Sequence, residues 1–182
     1  MDYANEVMTV VKETLNRYSA IDEKIKALEA RFRDNDIGNN AYAGILAELK
    51  SQKDEAHLSA AGGIMRLEKE YAAAVEKLYA TVDASQLDPD AQLLELENFK
   101  PTPEQFSAMA EKHRGNRLMT QLLLEYQNKH PGLGGVYIQS AEEIIRQFNQ
   151  YTASANFTIN NPDSLQAAFF LEGKYTPQNT DI

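Results

Sequence analysis

RFRDNDIGNNAYAG, residues 31–44, places acids, amides and a glycine between two stretches with helical periodicity. Its reading decides the fold. A calcium loop beginning at Asp34 has acids at its first and third positions, Asp34 and Asp36. It then has Gly38 at the fifth, Asn39 at the sixth and Ile45 at the twelfth. An EF-hand needs a ligand at the fifth position, glycine at the sixth and a bidentate glutamate at the twelfth. A turn accounts for the same residues: Gly38 supplies a left-handed end to one helix, and Asn39 or Asn40 caps the next. The stretch reads as the bend of a helical hairpin, and no metal is expected there.

Upstream, from Tyr3 to Arg33, there is no proline or glycine. Val7, Val11, Leu15, Tyr18, Ile21, Ile25, Leu28 and Phe32 recur at steps of three and four. From Tyr18 the steps alternate as in a heptad, which predicts a helix with a coiled-coil seam. About 30 residues at 1.5 Å each make a rod roughly 45 Å long. Downstream the pattern returns at Tyr42, Ile45, Leu46, Leu49, Ala56, Ala60, Ile64, Leu67, Tyr71, Val75, Leu78 and Val82. Residues 3–33 and 40–83 are therefore expected to pair as an antiparallel hairpin. Gly62-Gly63 interrupts the second helix, where each glycine costs about 1 kcal/mol relative to alanine. The surrounding "SAAGGIM" suggests a close approach or kink in preference to a hinge.

Beyond residue 84 the texture changes, for the prolines lie there with ten of the sixteen Phe and Tyr residues. Short helices are expected over 90–97, over 103–113 with Thr102 as cap and Pro103 at the first position, and over 116–128. "HPGLGG" breaks the chain, an amphipathic segment follows over 140–151, and a last helix ends at Gly173. The fold class expected is all-α. Residues 1–84 form the hairpin, 85–173 a compact bundle of shorter helices packed on the hairpin base, and 174–182 a flexible tail.

Composition narrows the function. The 182 residues carry 18 Lys and Arg against 27 Asp and Glu, a net charge of -9. The excess is even: residues 1–84 hold 11 basic and 15 acidic side chains, the remainder 7 and 12. Only Lys112, His113, Arg114 and Arg117 gather any positive charge, which speaks against nucleic acid as a partner. There is no cysteine, so a disulfide framework and a thiolate metal site are both excluded, and a reducing cytoplasm is favoured. The N-terminal MDYANEVMTVVKETL has no basic stretch followed by an apolar run. No segment reaches the ~20 apolar residues of a membrane span, so a soluble chain is expected.

Catalytic constellations are not found. His57, His113 and His130 have no ligand spacing and polar neighbours, and are expected at the surface. "GLGG" at 132–135 lacks the Lys-Ser/Thr of a phosphate loop and follows a helix, so it reads as a turn. Glu142 and Glu143 would be an acid/base pair only if unpaired, and Glu142 faces Arg146 at i,i+4. No catalytic residue, cofactor or metal is expected, and no enzyme activity.

Residues 96–130, LENFKPTPEQFSAMAEKHRGNRLMTQLLLEYQNKH, resemble a segment of small helical proteins encoded in phage and prophage structural-gene regions of Firmicutes, of the siphophage type. Those proteins carry a helical hairpin, then a Thr-capped helix ending near Lys-x-x-x-Asn, then a Met-containing helix ending in Glu-Tyr. Thr102, Lys112, Asn116, Met119, Glu125 and Tyr126 fill these places here. The resemblance implies a virion component or an assembly protein in the host cytoplasm, and carries over no active-site residue.

The pattern independently suits a protein that works by contact, since a charged hairpin displays much surface over little core. Val10, Leu46, Leu58 and Tyr79 fall off the paired stripe. Leu46, Leu58 and Tyr79 are the candidate partner or oligomer surface. The partners expected are a second copy of the chain and other structural proteins. A non-viral helical binding module or effector is the alternative, and an enzyme with a site assembled from scattered residues the third.

Overall fold

The computed structural model describes residues 1–81 and 83–177. Val82, expected at the end of the second stripe, and residues 178–182 of the expected tail lie outside the described residues. Among these the elements are helical: α1 (Tyr3–Arg33), α2 (Asn39–Ala80), α3 (Asp90–Glu95), α4 (Pro103–Lys112), α5 (Arg117–Lys129), α6 (Ala141–Asn160) and α7 (Leu165–Leu171), with two 3-10 turns at Ala84–Gln86 and Pro131–Leu133. The chain divides into two compact units, residues 1–71 with 147–182, and residues 72–146. The change in composition, by contrast, falls near residue 84.

In the first unit α1 and α2 pack against each other as an antiparallel pair, and the side-chain contacts show the register. Phe32 stacks on Tyr42 at 4.4 Å, Lys53 reaches the Asp22 carboxylate at 2.8 Å, the Tyr18 hydroxyl lies 3.3 Å from His57 Nδ1, and Tyr3 meets Tyr71 edge-on at 5.3 Å. Partners separate steadily in sequence with distance from the turn, as two antiparallel rods require. Val7, Val11, Tyr18, Ile21 and Leu28 of the first stripe are buried, as are Leu49, Ala56, Ala60, Ile64, Leu67 and Tyr71 of the second. Thr14 is buried where Leu15 is only half-buried, and its hydroxyl donates to the Val10 carbonyl at 2.7 Å.

The bend is built differently from the expectation. The left-handed residue is Asn35, with φ 60°, and not Gly38. Asp34 caps α1, the Asn35 amide donates to Phe32 at 3.1 Å, and the Asp36 amide donates to Arg31 at 2.9 Å. This paired closure satisfies the last carbonyls of a helix, and asparagine is the side chain other than glycine that enters the left-handed region at least cost. Gly38 instead precedes α2, its carbonyl accepting from Tyr42 at 3.0 Å, so Asn39 and Asn40 lie inside the helix.

α2 runs unbroken through Gly62-Gly63. A Cβ on Gly62 would meet nothing within 4 Å, and one on Gly63 would meet only the two Val10 methyls at 3.9 Å, an ordinary contact. Neither glycine is demanded by packing within the chain.

The base of the first unit is an aromatic chain. Tyr71 stacks on Phe148 at 4.1 Å, Phe148 meets Tyr151 at 6.2 Å, and Tyr151 stacks on Phe170 at 5.0 Å. The buried Tyr151 hydroxyl donates to the Ala4 carbonyl at 3.1 Å, and burial first, then the Asp2 charge, push its phenol up to about 12. α6 extends nine residues past the expected Tyr151, to Asn160. Thr152, Ala155, Thr158 and Ile159 form its buried face. The Thr158 hydroxyl donates to the Ser154 carbonyl, and the single hydroxyl proton of Thr152 lies between the Glu68 carboxylate and the Asn149 carbonyl, so both threonines are buried without being orphaned. Ser164 caps α7. Gly173, at φ 76°, ends it, with Lys174 donating back to Phe169 at 3.1 Å. The first residues of the expected tail are shaped by this cap: Thr176 bonds the Gly173 carbonyl, and the Lys174 ammonium sits 4.3 Å above the Phe169 ring.

The second unit is centred on Phe106, Leu123, Tyr126 and Leu133, with Leu94, Phe99, Met109, Val136 and Ile138 around them. Thr102 and Gln105 form a reciprocal capping box at the start of α4, with Pro103 in its first turn, and Asn116 caps α5. The Tyr126 hydroxyl donates to the Phe99 carbonyl at 2.6 Å, and Gln127 Nε2 donates to the carbonyls of Leu133 and Val136. The latter pair fixes the "HPGLGG" break.

Candidate functional site

The densest polar constellation lies in the second unit, where the loop before α3 meets the end of α4. The Asp88 carboxylate accepts the Asp90 amide at 3.0 Å, bending the chain around Pro89 into α3. α4 ends with Lys112, His113 caps it, and Gly115, at φ 85°, turns the chain towards Asn116. Only a residue without a Cβ makes that left-handed step freely. Lys112 and His113 are thereby delivered to the loop. Lys112 Nζ stands 2.7 Å from Asp90 and 3.3 Å from Asp88, while His113 Nε2 is 2.9 Å from Asp90.

His113 is 4% exposed, which corrects its expected surface position. Its polar sequence neighbours are misleading because the partner carboxylates come from a segment more than twenty residues away. The Lys112 hydrogen bond, then that of His113, holds the Asp90 carboxyl below the usual carboxylate range. Asp88 is lowered chiefly by the Asp90 amide, and Lys112 is raised chiefly by Asp90.

Ligand atoms of Asp88, Asp90 and His113 lie within 4.8 Å of one another, a spacing that admits a metal ion. The chemistry of the set does not fit one, because the Lys112 ammonium already supplies a cation to both carboxylates and a divalent ion would have to displace it. Asn116 Nδ2 adds a bond to the Gln86 carbonyl at 2.7 Å. The cluster fastens the loop at 83–90 to the α4–α5 turn.

The remaining polar candidates are also structural. His57 belongs to the Tyr18 contact, and His130 is exposed, stacked on Tyr126 at 4.0 Å with Nδ1 donating to its carbonyl. Arg146 pairs in a fork with Glu143, at 2.7 and 2.8 Å, in place of the expected Glu142. Both i+3 and i+4 neighbours are within reach on a helix. Between α1 and α2 runs an open groove of about 450 Å³, floored by Ala20, Ile21 and Ala56 and rimmed by Arg17, Lys24 and Glu55. The two alanines leave the space, and the charged side chains around it are of both signs.

The three surface residues expected from the sequence part company. Leu46 is half-buried, packed on the cluster that contains Ile21, Leu28 and Leu49. Tyr79, in the second unit, is half-buried, its carbonyl accepting from Gln121 at 2.6 Å and its phenol raised first by burial. Leu58 stands clear, 69% exposed. Met65, two turns further along the same face and 52% exposed, is the residue that the sequence reading missed. It lay outside the hydrophobic stripe, and its seven-residue spacing from Leu58 was the available signal. Among the described residues no helix is long and apolar enough to cross a membrane. No family model matches the chain, and neither a curated protein nor a solved structure matches it.

Proposed function

We propose that the chain is a structural or assembly component of a phage particle that acts by protein–protein contact, as a scaffold or a virion-associated protein. The observation that carries the contact part is the outer face of α2, where Leu58 and Met65 stand exposed on a rigid, uninterrupted helix. Apolar side chains gathered on one face of such an element are where a partner would sit. The charged clusters, in contrast, are engaged in holding turns together. The viral part is supported by the resemblance of residues 96–130, in which Thr102, Lys112, Asn116, Met119, Glu125 and Tyr126 recur.

Gene neighbourhood and reconstitution test the proposal together. Terminase, portal and capsid genes are expected beside this one. Co-expressed capsid and portal proteins should carry the chain with them when assembled particles are sedimented, and Leu58→Glu should reduce the amount carried. Unrelated cellular neighbours, together with a chain that stays in the supernatant, would refute the phage assignment.

A further inference from the structure

The outer face of α6 differs from those of the other long helices in carrying no charge. From Gln147 to Leu171 the chain has one charged residue, Asp163, where its 25% of charged residues would place about six in such a span of 25. The outer stripe of α6 runs through Asn149, Ala153, Asn156 and Asn160, at steps of four, three and four, with Gln150 and Phe157 beside it. All are exposed except the half-buried Asn156, and Leu165, at the start of α7, is 71% exposed.

Solvent alone does not select such a face. Exposed helical positions are ordinarily filled by strong helix formers, as at Glu6, Glu13, Arg17 and Lys24 of α1. Asparagine is a poorer one. The polar groups here are also prepared for contact: Ser154 Oγ donates to the Gln150 carbonyl at 3.1 Å, Asn160 Nδ2 to the Asn156 carbonyl at 2.8 Å and Asn161 Nδ2 to the Phe157 carbonyl at 3.1 Å. Donors already satisfied by their own helix lose little when water leaves.

The absence of charge selects the occupant. Charged residues are depleted at the core of protein interfaces. Two copies that each carry a net charge of -9 meet at least coulombic cost where neither brings a charge. Across a two-fold axis a side chain near the axis meets its own counterpart, so a charged one meets its like. The stripe avoids this wherever along it the axis falls, and in either direction of the paired helices. A partner recognised by its charge finds nothing to pair with on this face, and an anionic membrane surface finds no Lys or Arg there.

We propose that the uncharged outer face of α6 binds a second copy of the chain, α6 against α6 across a two-fold axis. This surface is additional to the α2 face of the proposed function and does not rest on the phage assignment.

Sedimentation equilibrium of the full chain from low to high micromolar concentration should show a species of about twice 20.4 kDa. It should be tighter in high salt than in low, because salt screens the repulsion between two acidic copies. Full overlap of the stripe puts Ala153 beside the axis. Ala153→Glu and Ala153→Lys should therefore each weaken the dimer by about tenfold or more, whichever sign is introduced, with the melting curve of dilute protein unchanged. An equal mixture of the two variants should pair again. A single-chain mass at every concentration would overturn the proposal, as would a dimer indifferent to both substitutions, strengthened by either, or weakened by salt. A mixture no better than either variant alone would overturn it too. A monomer that still sediments with capsid particles would overturn the second copy as occupant and leave the proposed function standing.

Discussion

Replacing Gly63 with alanine tests α2 at its weakest point. Glycine inside a helix costs about 1 kcal/mol relative to alanine, mainly through the greater freedom of the unfolded chain. The structure sets the sign of what the added methyl meets: only the Val10 methyls, at 3.9 Å, so that contact is attractive. Half-burying one methyl adds about 0.4 kcal/mol. Gly63→Ala should therefore stabilise by about 1 to 1.5 kcal/mol, raising the melting temperature by about 2 to 6 °C in a chain of this size. Gly62→Ala, facing open space, should give only the propensity gain of about 1 kcal/mol. Urea titrations followed by circular dichroism, on dilute protein, measure both. A neutral or destabilised Gly63→Ala would refute the reasoning. It would mean that α1 and α2 approach more closely there, or that α2 hinges at the glycine pair.

Leu67→Asp and Leu28→Asp, each placing a charge in the packed seam, should each cost about 3 to 5 kcal/mol in the same titration; unchanged midpoints for both would mean that the stripe is not buried. Asn35→Ala should destabilise by about 1 kcal/mol and Asn35→Gly should not, because the position is left-handed; equal stability for the two would relocate the bend. The depressed pKa of Asp90 makes its contribution present above the ordinary carboxylate value, near 3.9, and lost as pH falls through the lower folded value. Asp90→Asn should therefore lower the melting temperature at neutral pH and flatten the acid limb of its pH profile. Parallel profiles would show that the Lys112 and His113 contacts contribute nothing.

Local signals were legible and distant ones were not. Thr102, Asn116 and Gly173 act within a few residues of themselves, and each sits at a helix end where the sequence put it. The long stripes were legible because thirty or more residues repeat one period. α6 was cut short because its buried face after Tyr151 has two threonines and an alanine before Ile159, and the polarity of the threonines hides the period until their hydroxyls are seen bonding back to the helix. Gly38 drew the left-handed role by residue type, yet the capping geometry took Asn35. His113 is paired with Asp90, and Leu46 packs on a cluster to which α1 contributes Ile21 and Leu28; pairings of that range leave no mark in either segment alone.

The bond from Tyr151 to the Ala4 carbonyl joins residues 147 positions apart, and this sets an order of events for a growing chain. The bend at Asn35 and the contacts beside it, such as Phe32 with Tyr42, are local and close cheaply as soon as both helices exist. Contacts of long sequence separation carry the larger loop-closure cost and form slowly. Tyr3 and Tyr71, at the far end of the same two helices, have only each other until Phe148, Tyr151 and Phe170 have been made. For most of its synthesis the hairpin is therefore zipped at its tip with its aromatic base uncovered, and that base is where a nascent chain would need protection from aggregation.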